Sequence, residues 1–471
     1  MPFLSHGRVL ELKEQLEGTR AEVISYGSRD YVQSIQRWSE TCEKEAGAIV
    51  RVTSTSEVST VINFSRKHHI NFVVESGGHS TTGSSASHGG IVISMTTMRK
   101  VLTDPASKTV CVQGGATWED VNNSTTAFGL AVVGATASQT GVGGSTLGGG
   151  YGWLTGQYGL TIDQLISVKM VLANGTIVEA SETSNQDLFW AVRGAGQAFG
   201  VATEFVFRAQ SIPSTLFGGI MFFTVDKLPK IVEFANQFDK KQEPRSGFFF
   251  GFRAHPLVQH TAIVAILFYN GTRSQAEHFF APLLSLDAVL NETDMMSYAH
   301  LCSLGNMETV PAGRKTQSGT TVAFPLEAEN VREIWTTFDN IIKSYPEMRD
   351  STLAFELLPY ANLRQVALDQ TACANRGPYY NVGLLLCWRN HELDVKMPAL
   401  KREILAHFKR EEGDSDESHA EVYANYAGHE TRPNQLFGDN LPRLLKMKEK
   451  YDPHNVFRKW HNLHNPLSRP P

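Results

Sequence analysis

Ile70 to Gly90 reads INFVVESGGHSTTGSSASHGG. An apolar run, Asn71 to Val74, predicts a short strand that ends abruptly in Ser76-Gly77-Gly78-His79-Ser80, leaving one imidazole beside backbone stripped of side chains. Adjacent glycines remove the Cβ atoms that would block close approach and permit positive φ, and successive N–H groups in such a turn form a concave anion site. Phosphate is the natural guest.

A lone Gly-Gly-His is more often an ordinary turn than a ligand site. A second cluster shifts the balance: Gly134 to Gly159, GATASQTGVGGSTLGGGYGWLTGQYG, holds far more glycine than a turn needs, separated largely by small or hydroxyl residues. Two such loops imply an extended ligand.

The chain has 471 residues, 41% hydrophobic and 19% charged, which suits a globular protein of more than one domain. A net charge of −5 without a long basic block argues against a nucleic-acid partner, and the absence of an eighteen-residue apolar run argues against a membrane span. The N-terminus, MPFLSHGRVLELKEQLEG, reads as an amphipathic helix rather than a signal peptide; a cytoplasmic location is expected, with secretion left open. Five cysteines (Cys42, Cys111, Cys302, Cys373, Cys387) lack any CxxC, so a metal site is not expected; a Cys42–Cys111 bridge stays open.

Going outward, Ala48 to Val52 predicts a strand and Ser56 to His69 a helix capped by Ser54 or Thr55, completing a strand–helix–strand unit with the opening stretch. Gly90 to Met95 and Thr109 to Gln113 predict strands, and Trp118 to Phe128 a helix. Leu165–Leu172 and Thr176–Ala180 flank Asn174-Gly175, a strong hairpin signal. Asp187 to Val192 predicts a helix and Gly200 to Phe207 a strand. Beyond Thr215, strands at Phe217–Thr224, Gly247–Phe252, Thr261–Tyr269, Thr352–Leu358 and Tyr380–Trp388 alternate with helices at 228–238, 275–284, 331–344 and 395–409. This suggests a second domain, a sheet covered mainly on one face. Lys409 to His419 predicts a solvated loop, Ala420 to Gly428 a short strand, and Asn440 to Lys450 a docking helix stopped by Pro453.

Other chemistries are excluded by motif. There is no GxGxxG, no P-loop lysine, no GxSxG and no HExxH. His68-His69 and the histidines between His461 and His464 read as surface or capping residues. A glycine-cradled cofactor with one histidine remains.

Five motifs then occur in collinear order: SGGHSTTG (Ser76–Gly83), GVGGSTLGGGYG (Gly141–Gly152), QAFGVATEF (Gln197–Phe205), YANY (Tyr423–Tyr426) and KYDPHNVF (Lys450–Phe457). Together they resemble the berberine-bridge-enzyme-like FAD oxidoreductases of the vanillyl-alcohol oxidase superfamily. The resemblance implies an α+β fold: a two-subdomain PCMH-type FAD-binding domain over residues 1–212 (core 46–210) and a substrate domain over 213–420. That domain has an antiparallel sheet covered by helices, and a C-terminal segment, 421–471, returns to the FAD domain. It also implies FAD linked 8α to His79, with cofactor contacts from Ser76, Gly77, Gly78, Ser80, Gly83, Thr140, Gly141, Gly143, Gly144, Ser145, Gly149, Gly150, Gly200, Val201 and Asn425, Thr140 and Ser145 as hydrogen-bond donors.

Two departures stand out. Where many members carry a second flavin-linking cysteine, this chain has Ala137, so a single link is expected. Glu75 replaces the usual Arg or Lys before SGGH, for which the sequence offers no reason.

By the same resemblance, catalytic candidates are Glu356 and Tyr423. Strand alternation leaves Glu356 two directions, cavity or solvent; burial would raise its pKa and suit it to base work. Tyr380 and Asn381 are weaker pocket candidates. The reaction implied is base-assisted hydride transfer from a small organic substrate to flavin, with dioxygen as acceptor, in specialised-metabolite biosynthesis. The alternatives are a non-redox cyclase with structural FAD and a binding protein that has kept the fold without a base.

Overall fold

The computed structural model describes residues 4–258, 260–308, 313–408, 420 and 422–463. The local code around the first glycine loop is strict. Ser54 accepts a hydrogen bond from the Glu57 N–H while the Glu57 carboxylate accepts from Ser54 N, a reciprocal cap that starts the helix at Thr55. That helix, Thr55–Lys67, buries Val58, Val61, Ile62 and Phe64 and delivers the chain to the strand before the Gly-Gly-His turn.

Among the described residues three larger sheets and one two-stranded ribbon follow. The first has order β1 (Glu22–Ser25), β2 (Ala48–Arg51), β4 (Ile91–Ser94), β3 (Phe72–Glu75), with β4 parallel to both its neighbours. The second has order β5 (Val101–Asp104), β6 (Thr109–Gln113), β10 (Gly200–Arg208), β8 (Leu165–Leu172), β9 (Ile177–Ser181); β8 and β9 form the expected Asn-Gly hairpin, with Gly175 at φ +81°. β7 (Leu130–Ala131) pairs with β11 (Gln210–Ser211).

The third sheet is antiparallel and has eight strands. Its main path is β15 (Leu290–Asn291), β12 (Leu216–Phe223), β14 (Thr261–Tyr269), β13 (Ser246–Ala254), β18 (Thr352–Leu357), β19 (Tyr380–Trp388), β17 (Arg314–Val322), and β16 (Asp294–Met296) pairs with β12. One face lies under helices Leu228–Lys241, Arg273–Leu284, Ala328–Ser344 and Met397–Leu405, in a core dense in phenylalanine. The other face borders the cavity described below. The fold is the α+β arrangement expected.

Several local expectations are corrected. β17 has no apolar alternation to announce it; RKTQSGTTV is a strand because it completes the edge beside β19. The strand expected over Ala420–Gly428 is not formed among the described residues: Tyr426 N–H bonds back to Tyr423 C=O at 2.8 Å and Ala424–Tyr426 form a 3₁₀ turn, whose Asn425 donates to Ser145 C=O and whose Tyr426 donates to Glu356. The helix expected over 395–409 runs only Met397–Leu405, since Pro398 sits in its first turn and a 3₁₀ turn, Ala406–Phe408, ends it. The polar loop 409–419 lies outside the described residues. All five cysteines are free, so Cys42 and Cys111 form no bridge.

The C-terminal helix, Leu441–Tyr451, inserts Leu441 and Leu444 into the core of the second sheet. Lys448, on the same helix, is fully buried and donates to Asp452, Ala198 C=O and Phe457 C=O at 2.7–2.8 Å. Among the described residues no helix is long and apolar enough to cross a membrane.

Candidate active site

The two glycine loops press backbone against backbone. A Cβ on Gly77 would stand 2.6 Å from Gly141 N, one on Gly141 2.5 Å from Gly77 N, and one on Gly143 2.8 Å from Gly114 C=O. Only glycine permits that approach, and Gly78 adds φ +68° at the turn. At Gly144 nothing stands within 4 Å, because its free side opens on a cavity of about 400 Å³. Ser76, Gly77, Gly78, His79, Ser80, Thr140, Gly141, Gly143, Gly144, Ser145, Gly200, Val201, Tyr423 and Asn425 all line that cavity.

Three expected contacts stand elsewhere. Gly83 lies against Lys44, while Gly149 and Gly150, at φ +119° and +74°, support the cavity from behind; the Gly150 N–H donates to the Tyr423 hydroxyl at 3.1 Å. Ser145 is also not a spare donor. Its hydroxyl donates to Gly141 C=O at 2.8 Å and accepts from the Trp118 indole at 2.9 Å.

His79 stacks on Trp38, ring centroids 5.2 Å apart and planes within 15°. Lys315 Nζ lies over the same indole and donates to Trp38 C=O at 2.9 Å. Enclosure, reinforced by the Lys315 charge, pushes the His79 imidazole down to about 4, so it is neutral at physiological pH. Ala137 lines the cavity and brings no sulfur to it.

Glu75 now has a physical account. Its carboxylate meets the buried Arg37 guanidinium at 2.9 Å, and Arg37 in turn donates to Ser85 C=O at 2.9 and 3.1 Å. The pair clamps the loop that carries His79 at both ends. Burial outweighs the Arg37 charge and holds the Glu75 carboxyl above its usual range.

Across the cavity, alternation on β18 resolves the direction of Glu356. Leu353, Phe355 and Leu357 enter the helix-covered core, while Thr352 and Ala354 line the cavity, so Glu356 shares the cavity face. It does not touch the open space directly. Tyr151 donates to one carboxylate oxygen, and Tyr426 donates to the other at 2.9 Å; both tyrosines line the cavity. Burial, with Glu356 beside them, holds both phenols well above their ordinary range.

Tyr423 is placed differently from Tyr426. Its oxygen accepts from Gly150 N and from Asn425 Nδ2 at 2.6 Å, and Asn425 also donates to Ser145 C=O, so the pair ties the C-terminal segment to the second glycine loop. Asn381 pairs with Glu356 across β18 and β19, exchanges hydrogen bonds with Asn375 and borders a small adjoining space with Glu356. Tyr380 belongs to the opposite face: its hydroxyl donates to Asp239 at 3.2 Å and accepts from Gln242 at 2.7 Å, and it packs in the helix-covered core.

Sequence reading passed over Tyr151, Tyr426 and Arg37. The signal for Tyr426 was present in YANY, three residues after Tyr423. His461, expected at the surface or in a cap, lines the cavity, meets Ala424 C=O at 3.1 Å and is pushed by burial down to about 4. His68 pairs with Glu11 at 2.8 Å.

A Cβ-free double cradle that ends at a neutral histidine fits a long, phosphate-bearing planar cofactor, and the eight-stranded sheet faces it across the same cavity. These features define the class of two-part FAD-binding oxidoreductases. Residues 46–181 match the FAD binding domain family, and residues 422–464 match the family described as berberine and berberine like. The chain is 31% identical to the FAD-linked oxidoreductase pgmH of Aspergillus terreus, over 96% of this chain and 95% of that one. Among solved structures it is similar to Physcomitrella patens BBE-like 1 (TM-score 0.83, 19% identity, 98% and 100% covered). It is likewise similar to 6-hydroxy-D-nicotine oxidase from Arthrobacter nicotinovorans (TM-score 0.81, 23% identity, 94% and 98% covered). The chain belongs to the berberine-bridge-like FAD-linked oxidoreductases.

Proposed function

We propose that this enzyme oxidises a small organic substrate by base-assisted hydride transfer, with FAD tethered through its 8α position to His79 alone and dioxygen as electron acceptor. The observation that carries this reading is the meeting, in one cavity, of the glycine cradle and His79 with the Tyr426–Glu356–Tyr151 cluster. When bound, FAD supplies the hydride acceptor.

The residues divide the remaining work. A neutral imidazole is the nucleophilic form, and Trp38 fixes its plane. Tyr426 faces the cavity with its proton already directed at Glu356, so the phenol oxygen takes a substrate proton as its own passes to the carboxylate. Tyr151, from the other side, keeps Glu356 in place. Tyr423 and Asn425 hold the second glycine loop against the C-terminal segment. Oxidase neighbours support dioxygen as acceptor, and the setting in specialised metabolism rests on fold analogy.

The test is acid precipitation of the purified protein, peptide mapping of the pellet, and anaerobic addition of substrate. Yellow colour retained on the His79 peptide, and bleached by substrate before precipitation, is the expected result. Flavin that washes free of wild-type protein overturns the tether; a spectrum that substrate leaves unchanged overturns the redox chemistry.

A further inference from the structure

The cavity face of the third sheet carries a row of positions nearly free of side chains. Gly251 pairs with Ala354, Ala354 with Gly383, and Gly383 with Gly319, so four adjacent strands present Gly, Ala, Gly and Gly at one level. The Phe250 ring stacks on Phe355 at 4.6 Å in the helix-covered core, and Leu384 belongs to that core too, yet both border the cavity. Only their main chain can reach it. The floor here is bare backbone.

At Gly319 the missing side chain's place is taken by Tyr426, whose ring carbon would lie 2.9 Å from a Cβ there. Of the row, Ala354 and Gly383 line the cavity, roughly 5 Å apart at ordinary strand spacing, and form the floor of a trough closed at the Gly383 end by Tyr426 and Glu356; at Gly251 a Cβ would run into the Leu353 carbonyl, so the floor beyond Ala354 is closed backbone. Its far end is apolar: Val264 pairs with Gly251, and Phe222 with Val264. On one flank Phe249 pairs with Glu356; on the other Arg253 pairs with Thr352. The flanks stand roughly 13 Å apart, four residues along each strand.

The Arg253 flank carries a second observation. Thr352 is 5% exposed, lines the cavity, and its hydroxyl meets no hydrogen-bond partner among the described residues. A buried hydroxyl left unpaired is costly, and a polar atom from an occupant of the cavity would relieve that cost. Arg253, directly across the strand pair, adds a cation at the same edge of the cavity.

We propose that this trough seats the substrate and selects a flat aromatic molecule of two or three rings, its reacting carbon against Tyr426 and an acidic oxygen held by Thr352 and Arg253. The proposal rests on the function given above. An oligosaccharide does not suit the trough: Phe222, Val264, Ile220 and Ile266 offer its hydroxyls no partners, and each buried unpaired hydroxyl opposes binding.

The test is titration calorimetry on the purified protein, with flavin content read by absorbance for every variant. The probes are 6-hydroxy-2-naphthoate, 2-naphthol and cellobiose. Wild type is expected to bind the naphthoate at least about 10-fold more tightly than 2-naphthol and to give no heat with cellobiose. Arg253→Gln removes that preference, Thr352→Val weakens naphthoate binding by about 10-fold, and Ala354→Leu blocks both aromatic probes. Should Ala354→Leu fail to fold, Ala354→Val is expected to weaken both. Equal affinity for naphthoate and naphthol, tighter binding of cellobiose, or unchanged aromatic binding in the filled trough overturns the proposal. Protein that takes up no flavin at all fails the functional reading instead, so the two failures are distinguishable.

Discussion

The two walls of the cavity are built by opposite means. On the cofactor side, recognition is made by removing side chains, so that backbone at Gly77, Gly141 and Gly143 can approach closely. On the sheet side, small residues only open the space; in the function proposed above, the wall acts through the side chains beside them, Glu356, Tyr426, Thr352 and Arg253. The first wall reads any ligand of the right shape through amides common to every protein. The second depends on chemistry that one substitution can change. Adding a Cβ should therefore damage the first wall, and changing a functional group the second.

The largest effect expected is on the sheet wall. Glu356→Gln keeps the shape but removes the proposed proton acceptor, so anaerobic flavin reduction in stopped flow should slow by about 10²–10⁴-fold with flavin content unchanged. Tyr426→Phe should give a similar defect while Tyr423→Phe gives a smaller one. Reduction at the wild-type rate in both Glu356→Gln and Tyr426→Phe would end the division of labour drawn here.

Behind the cofactor wall, Lys448 and Asp452 form a fully buried pair. Lys448→Met leaves the Asp452 charge without its partner and should cost about 3–5 kcal/mol, read as a lower unfolding midpoint in denaturant. On the wall itself, Gly141→Ala places a methyl into the Gly77 backbone; it should cost about 1–3 kcal/mol and reduce flavin content. Ala354→Gly in the trough is the matching control, expected to cost no more than about 1 kcal/mol and to leave flavin content alone. Equal flavin loss in the two would break the contrast.

The smallest effect is in acid. His461 is pushed down to about 4 from an ordinary 6.5, so the unfolded chain binds its proton first. Its contribution is complete above pH 6.5 and is lost as pH falls toward 4; for a half-buried ring this amounts to about 1 kcal/mol. His461→Leu should flatten the acid limb of the stability curve between those values, and an unchanged slope would refute the assignment.

The contrast also explains what could be read in advance. The cofactor wall was legible because its determinants are local: a strand, two glycines and a histidine in ten residues, a reciprocal Ser54–Glu57 cap, an Asn-Gly hairpin. β17 was not legible, because its polar sequence becomes a strand only through its edge partner. Glu75 made no sense until Arg37 stood beside it. Tyr380 and Asn381, adjacent in sequence, part at the sheet: the Tyr380 hydroxyl meets Asp239 and Gln242 on the helix side, while Asn381 is the cross-strand partner of Glu356.

By itself, the sequence determined the glycine cradle, the single histidine, the missing second cysteine and the ordered motifs of an FAD-linked oxidoreductase, since each depends on residue type at short spacing. Tertiary structure alone decided that Glu356 is bracketed by Tyr151, 205 positions away, and by Tyr426, 70 positions away, and that Thr352 faces a trough. The physical reason is range. Backbone geometry is dictated by neighbours along the chain, whereas the position of a proton acceptor is set by strand register and by which face of a sheet the core claims.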